Sequence, residues 1–322
     1  MSAGLALFLV ASLFAFVYGS NAGSVLVSIG LTASNTPVWL AVLALGAAVA
    51  IAPVLLGTGV ATTIAAELVT LDGEAGRWLL VAAVVSAMLV AAVLSWRGLP
   101  TSMTLALLAA MTGVGLGAGT DVSWPRLAEV AAGLLLAPLL GVIAALLLRL
   151  GLRPWRTRWA VRDVAGGVHV LAFAALAMAF GAADGQKILA VMAVAMDTVG
   201  ERAEIVPLQL AVAGVVFAAG AAFGVRRMAA TVNRGVLAVR PDAAATSELA
   251  TAAVMFGGSA LGVPAGMSQV VSGSLIGIGM SSGMRRIRWE NAARLGNAWV
   301  ATVPATLLAG FAAGLIVGAV AV

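Results

Sequence analysis

The sequence FGAADGQK, at Phe180–Lys187, lies between two apolar runs and places an acid and a base within hydrophobic sequence. A weaker copy, YGSNAGS, lies at Tyr18–Ser24, so that Gly181 in the second half of the chain corresponds to Gly19 in the first. An ionisable group at membrane depth costs roughly 2.5–3.5 kcal/mol on insertion scales, so it usually has a partner or a function. The recurring motif therefore predicts a duplicated membrane protein with a functional site at the motif.

Two further landmarks recur at nearly the same spacing as this motif. LPTSMT at Leu99–Thr104 is echoed by VPAGMS at Val263–Ser268, and Trp124 is matched by Trp289. Duplicated hydrophobic halves are a common plan of secondary transporters, which place the substrate where the repeats meet. The nearly constant spacing therefore predicts two homologous repeats.

The composition indicates a chain embedded in a bilayer. Of 322 residues, 62% are hydrophobic and 10% are charged, whereas a soluble domain carries roughly 25% charged residues. Apolar runs approaching the roughly 20 residues that cross a bilayer recur along the chain. We predict an all-α polytopic membrane protein, with about ten membrane-embedded helices in two inverted repeats.

The repeats are predicted at residues 1–150 and 164–322, joined by a linker at residues 151–163. The linker is rich in arginine, which the positive-inside rule places in the cytoplasm. The stretches 100–119 and 264–283 are rich in glycine and small hydroxyl residues. They leave two interpretations open, close helix packing or broken or re-entrant helices whose backbone lines a cavity.

Several functional classes are excluded by what the sequence lacks. It has no cysteine and one histidine, and it carries no phosphate-loop or dinucleotide-binding motif. The net charge of +5 comes almost entirely from arginine in the loops, so it does not indicate nucleic acid. We expect a protein that is not an enzyme and has no bound cofactor and no nucleic-acid partner.

Asp184 and Lys187 are the ionisable residues that stand out within apolar sequence. Their i,i+3 spacing allows them to pair on one helix face. Such a pair is either a neutralising pair at a helix end or a functional one. In the functional interpretation, Asp184 coordinates a cation, and Lys187 helps to hold an anion or replaces a cation.

Small polar residues follow each repeated proline, namely Ser102 and Thr104 in the first half and Ser268 and Gln269 in the second. A proline followed by such residues is typical of a helix start. The amide groups of a helix start carry positive partial charge and bind anions. The two starts therefore predict an oxyanion site, although each residue is also compatible with simple capping.

The sequence allows two interpretations each for Glu248 and His169. Glu248 precedes an apolar run and is either a residue at the membrane edge or a gating or coupling carboxylate. His169 lies near the start of an apolar helix and is either an interfacial residue or part of a proton relay.

Taken together, these motifs resemble the inorganic phosphate transporter (PiT) family. That family carries a G-A-N-D-V-A-N-A-like motif near the start of each half, and a P-V-S-T-T-H-like motif later in each. Here, GAADGQK keeps Asp184 and loses the Asn at Ala183, while GSNA keeps Asn21 and loses the Asp at Ala22. Each repeat has thus lost one member of its Asn-Asp pair, and the losses are complementary.

The resemblance implies a secondary active transporter that takes up inorganic phosphate with a coupling cation by alternating access, usually as a homodimer. It implies a prokaryotic plasma (inner) membrane, and sodium or a proton as the coupling ion. The polar residues that the resemblance carries over by position are Asn21, Asp184, Gln186, Ser102, Thr104 and Ser268. Together with the residue arguments above, it predicts a substrate site of Ser102, Thr104, Ser268, Gln269, Asn21, Gln186 and Lys187. The residues predicted for cation coupling are Asp184, Asn21, Ser24 and Glu248, with Asp184 and Asn21 as ligands if the cation is sodium.

Two alternatives stay open because the motifs differ from the family pattern. The first is a proton-coupled permease for sulfate or another oxyanion. The second is a membrane protein that binds an anion without transporting it.

Overall fold

A computed structural model describes residues 3–31, 37–97, 101–151, 162–196, 207–232 and 241–321. Apart from one isolated bridge between Val69 and Val122, the regular structure of these residues is helical. The predicted all-α fold is therefore confirmed for the described part of the chain. Residues 152–161, which form most of the predicted linker, and Pro100 of the first proline motif lie outside it.

The first half forms seven α-helices in chain order: α1 (Ala3–Tyr18), α2 (Ser24–Leu31), α3 (Val38–Leu56), α4 (Gly59–Thr62), α5 (Gly73–Trp96), α6 (Met103–Ala118) and α7 (Trp124–Gly151). The described residues of the second half form α8 (Arg162–Phe180), α9 (Gln186–Ala195), α10 (Pro207–Val232), α11 (Pro241–Ala260), α12 (Met267–Ser282) and α13 (Trp289–Ala321). Short π-helical segments lie at Gly19–Gly23, Thr63–Glu67 and Gly181–Gly185, and a 3-10 turn lies at Met284–Arg286.

Seven stretches of the described residues are helical, long enough and apolar enough to cross a membrane. They are Ala3–Val27, Val38–Leu56, Gly73–Leu94, Trp124–Gly151, Gly167–Ala195, Pro207–Val225 and Trp289–Val320. Their outward faces carry large apolar side chains, among them Leu135 and Val320, which are 78% and 83% exposed. Such faces are suited to lipid, so the chain is a polytopic membrane protein. The number of about ten embedded helices stays a prediction.

The two halves are packed against each other in a reciprocal way. Helix α6 lies along α13, and α12 lies along α7, so each helix after a proline motif contacts the last helix of the other half. A Cβ atom on Gly113 would lie 2.1 Å from the Leu307 carbonyl oxygen, and one on Gly273 would lie 1.9 Å from that of Pro138. Helices approach this closely only where glycine leaves the backbone bare.

For the glycine-rich stretches after the proline motifs, the structure therefore favours the interpretation of close helix packing over that of a broken helix. Both α6 and α12 are unbroken helices of 16 residues. At 1.5 Å per residue each spans about 24 Å, which is less than a bilayer core. In α6 the left-handed conformation of Gly119, with φ of 70°, ends the helix.

Irregular turns interrupt two otherwise continuous helical stretches at equivalent places. The π segment Gly19–Gly23 joins α1 to α2, and Gly181–Gly185 joins α8 to α9. The first glycine of each segment packs directly against a backbone carbonyl, of α10 in one case and of α3 in the other. Because a π turn inserts an extra residue, it re-aims the side chains that follow it. The repeated polar motifs thus stand at tightly packed helix irregularities.

Candidate functional site

Asp184 and Lys187 are completely buried and form an ion pair between Oδ1 and Nζ. Asp184 belongs to the π segment, and Lys187 lies in the first turn of α9. The i,i+3 pairing predicted from the sequence is therefore present. A buried pair of this kind is costly to desolvate, and it is retained only with good geometry and further hydrogen bonds.

Lys187 has those further bonds, and they come from both halves of the chain. Its Nζ donates to Thr104 Oγ1 at 2.8 Å and to the carbonyl oxygen of Ala265 at 2.7 Å. With Asp184, this gives each of the three ammonium donors an oxygen partner. Thr104 lies in the first turn of α6, and Ala265 lies just before α12. The ammonium group therefore ties the polar motif of the second half to both proline motifs.

Tyr18 completes this cluster, although the sequence did not single it out as a site residue. Its hydroxyl donates to Asp184 Oδ1 at 2.7 Å and lies 3.1 Å from Thr104 Oγ1. Tyr18 ends α1 directly before the first π segment, where Phe180 stands in the second half. The sequence feature that could have pointed to Tyr18 as a site residue is that it is the only tyrosine of the chain and ends an apolar run.

The starts of α6 and α12 face each other beside this cluster. Ser102 caps α6, with its Oγ accepting a hydrogen bond from the Leu105 amide at 3.4 Å. A Cβ on Gly266, the residue that precedes α12, would lie 2.3 Å from Gln269 Oε1 and 3.3 Å from Ser102 Oγ. The bare backbone of Gly266 thus makes room for Gln269 and Ser102. Two helix N-termini, each with positive partial charge, meet at this point.

Several buried polar atoms around the helix starts lack hydrogen-bonding partners among the described residues. They are Thr101 Oγ1, Asp184 Oδ2 and Gln269 Oε1. Buried polar groups in folded proteins nearly always have a partner, so such groups call for a ligand, an ion or water. The arrangement of an ammonium group, hydroxyl groups and two helix starts has the chemistry to hold an oxyanion.

Gln186 is also buried, but both atoms of its amide bind protein groups. Its Oε1 accepts from the Ala61 amide at 3.0 Å, and its Nε2 donates to the Gly57 carbonyl at 2.7 Å. Nε2 also donates to the Ala182 carbonyl and lies 3.2 Å from Ser259 Oγ. Gln186 therefore connects the π segment Gly181–Gly185 with α11 and with the turn that joins α3 to α4.

Four other predicted site residues lie apart from this cluster. Asn21 is half-buried in the first π segment, and the contacts of Asp184 in the described residues come from Tyr18 and Lys187 instead. The Ser24 hydroxyl donates to the carbonyls of residues 20 and 21 in the preceding π segment. Ser268 is exposed. Glu248 lies beside His169.

The metal prediction for Asp184 and Asn21 has little support in the donor set. The described residues contain no group of three or more histidine, cysteine or acidic side chains that could hold a metal ion. At Asp184 Oδ1 the positive charge is supplied by the Lys187 ammonium group. Sodium binding through Asp184 and Asn21 therefore stays a prediction.

Replacing Tyr18 by phenylalanine should lower the free energy of unfolding by about 1–3 kcal/mol, because Asp184 Oδ1 and Thr104 Oγ1 lose a buried partner. The ring contact with Phe14, at 5.4 Å between centroids, is unaffected by the change. Thermal unfolding of the purified protein in detergent measures the effect. The control is Ser272→Ala, which removes an exposed hydroxyl bonded within its own helix. Equal stability of Tyr18→Phe and the control would contradict the structural importance of this hydroxyl.

The chain is similar to one known protein family along most of its length. A model described as the Phosphate transporter family matches the chain twice, over residues 10–165 and residues 154–310. The two matches agree with the duplication predicted from the sequence. They cover nearly the whole chain, including the π segments Gly19–Gly23 and Gly181–Gly185 and both proline motifs.

Three curated relatives share the name "Probable low-affinity inorganic phosphate transporter". The Rhizobium meliloti protein is 26% identical over 220 residues, which cover 66% of each chain. The Mycobacterium tuberculosis protein is 29% identical over 280 residues, which cover 81% of this chain and 65% of the relative. The Bacillus subtilis protein is 25% identical over 260 residues, or 77% of each chain. The chain thus spans about two thirds of the length of the first curated relatives that it matches.

A solved structure has the same fold. It is named "The sodium-dependent phosphate transporter", and it superposes with a TM-score of 0.85 at 16% sequence identity. The alignment covers 98% of this chain and 99% of the other.

Proposed function

Because the chain belongs to the phosphate transporter family, we propose that it carries inorganic phosphate across a membrane as a secondary active transporter. The observation that carries this proposal is the position of the Lys187 ammonium group. It binds oxygen atoms of Thr104 and Ala265, at the two facing helix starts, as well as Asp184. A site built where two repeats meet is the arrangement expected of a transporter that alternates its access.

The anion binds in this proposal between the starts of α6 and α12. Ser102, Thr104 and Gln269, together with backbone amide groups of the helix starts, supply hydrogen bonds to its oxygen atoms. Lys187 supplies the fixed positive charge. Ser268 and Asn21, which lie outside the buried cluster, would join the site in another conformation of the transport cycle. Gln186 acts by positioning the π segment.

A coupling cation is part of the proposal because of the charge balance at the site. Asp184 and Lys187 cancel each other before the anion binds, so an entering phosphate brings uncompensated negative charge. The partial positive charges of the helix starts offset a part of the negative charge of the phosphate. A cation bound in the same step offsets more, and Asp184 Oδ2 is a buried oxygen atom available to it.

Alternating access is proposed to arise from rocking of two inverted repeats, at residues 1–150 and 164–322. The reciprocal contacts of α6 with α13 and of α12 with α7 support equivalent roles of the halves. Adding α6, α11 and α12 to the seven membrane-crossing candidates gives the ten embedded helices of this proposal. The proposed location is the plasma (inner) membrane of a prokaryote, with a homodimer as the assembly.

Uptake of labelled phosphate into proteoliposomes tests the proposed function. The purified protein is assayed with an inward cation gradient, with no gradient, and with excess sulfate. We expect uptake that the gradient stimulates and sulfate leaves intact, because the relatives are phosphate transporters. Inhibition by sulfate would indicate a broader oxyanion permease. Phosphate binding by folded protein without any flux would indicate the non-transporting alternative.

A further inference from the structure

His169 and Glu248 form a second buried pair of titratable side chains, which the proposed anion site does not use. Nδ1 of His169 in α8 lies 3.0 Å from Oε2 of Glu248 in α11, and the side chains are 2% and 1% exposed. Neither carboxylate oxygen of Glu248 has a well-aligned hydrogen bond among the described residues, so the 3.0 Å contact with His169 is a close approach of two titratable groups. Two ionisable groups on different helices are thus shielded together from water, which is costly unless their charges balance.

We propose that the His169–Glu248 pair is a proton-binding site that links phosphate transport to proton movement, an inference that rests on the proposed transport function. With the proton bound, the pair is an imidazolium with a carboxylate or an imidazole with a carboxylic acid, and both forms are neutral overall. Without this proton, a neutral imidazole faces a carboxylate, and the pair carries a net negative charge. The buried contact therefore holds the proton, and releasing it requires the contact to open to water.

Both helices that carry the pair lead to the proposed anion site. Helix α8 continues through the π segment to Asp184 and Lys187, which at 1.5 Å per residue lie about 22 Å and about 27 Å along the helix from His169. Near the end of α11, Ser259 Oγ donates to the Ala182 carbonyl at 2.5 Å and lies 3.2 Å from Gln186 Nε2. Separation of α8 from α11 at the pair would therefore act on the contact between Ser259 and Ala182, which lies in the π segment that carries Asp184.

In the described part of the chain, the helices packed against the pair carry few other groups that titrate. Helices α3, α4 and α12, which pack against α8 or α11, carry no titratable residue. Ser247 and Thr251, near Glu248 along α11, direct their hydroxyl groups to α12, with Ser247 Oγ 2.5 Å and Thr251 Oγ1 3.4 Å from Ser274 Oγ. The charged residues on the elements that contact the pair's helices lie near the ends of α7, in the first turns of α8 and α11, and in the π segment after α8: Arg126, Glu129, Arg149, Arg162, Asp163, Asp242 and Asp184. Among the described residues, His169 and Glu248 are therefore the titratable groups in the middle of these elements.

The test separates coupling from transport itself. Proteoliposomes without sodium are given a pH gradient, alkaline inside, and accumulation of labelled phosphate is compared with counterflow. Counterflow exchanges external labelled phosphate for internal phosphate and needs no net proton movement. The variants are Glu248→Gln and the double variant His169→Gln with Glu248→Gln, in which two amides can still bind each other. Glu290→Gln, at a side chain that is 87% exposed, is the matched control.

The wild type and the control should accumulate phosphate, up to about tenfold per pH unit for each coupled proton. Both Glu248 variants should lose this accumulation and keep counterflow at the wild-type rate. Because the ionisation of phosphate itself is the same in every sample, the difference between variants reports the pair.

Two other results would overturn the inference. Variants that accumulate phosphate as the wild type does would show that the pair binds no coupled proton. Variants that lose accumulation and counterflow in equal measure would show a structural role. Absence of counterflow in the wild type would instead contradict the proposed transport function.

Discussion

Replacing Asp184 by asparagine is expected to reduce phosphate uptake to background and to destabilise the protein by about 3–5 kcal/mol. The loss of stability follows because Lys187 would remain fully buried without its counter-ion, and an uncompensated buried charge costs about this much. Lys187→Gln should have a similar effect for the reciprocal reason. Thermal unfolding in detergent and uptake into proteoliposomes measure the two effects separately.

The double variant, Asp184→Asn with Lys187→Gln, decides between the two roles that the sequence left open for this pair. It removes both charges and leaves side chains of similar size, so it should recover most of the stability lost by either single variant. Uptake should nevertheless stay at background, since the fixed positive charge at the helix starts is gone. If the double variant transports at the wild-type rate, Asp184 and Lys187 serve only to neutralise each other's charge. Glu290→Gln, in an exposed pair with Arg294, is the control that should change neither property.

Replacing Gly273 by alanine is expected to be the most damaging single-methyl change in the contact between α12 and α7. The added Cβ would lie 1.9 Å from the Pro138 carbonyl oxygen, far inside van der Waals contact, so the helices would have to separate. Overpacking of this kind costs typically about 1–3 kcal/mol, and leucine at the same position should prevent folding. The yield of monodisperse protein after detergent extraction and its thermal unfolding report the effect.

Gly296→Ala in α13 is the matched control for this substitution. A Cβ at Gly296 would have no atom of the described residues within 4 Å, and alanine has the better helix propensity, so stability should be unchanged or slightly higher. If Gly273→Ala behaves like Gly296→Ala, the close contact of α12 with α7 does not exist in the protein.

The sequence was sufficient to predict those features that depend on local spacing. Asp184 and Lys187 pair because residues three apart on a helix are neighbours. The paired proline motifs begin equivalent helices because proline and small polar residues favour a helix start in either half. The nearly constant spacing of the repeated motifs predicted equivalent elements, and the structure places Met103 and Met267 at the starts of two helices of equal length.

Contacts between distant segments could not be predicted in the same way. Tyr18 in α1 reaches Asp184 in the second half of the chain, and His169 in α8 meets Glu248 in α11. Neither contact follows from any periodicity, because it depends on which helix faces pack together. Gln186 shows the same limit. Its residue type suggested a ligand for the substrate, whereas its two amide atoms bind the backbone of three other segments.

The reciprocal packing of α6 with α13 and of α12 with α7 has a consequence for biogenesis. During synthesis, the glycine-lined face of α6 leaves the ribosome long before α13, which covers it. Until then, the first half exposes bare backbone that only its own later sequence fits, and the insertion machinery or lipid must shield it. We therefore expect the two halves to mature together, since a chain that stops before α13 leaves the glycine-lined face of α6 uncovered.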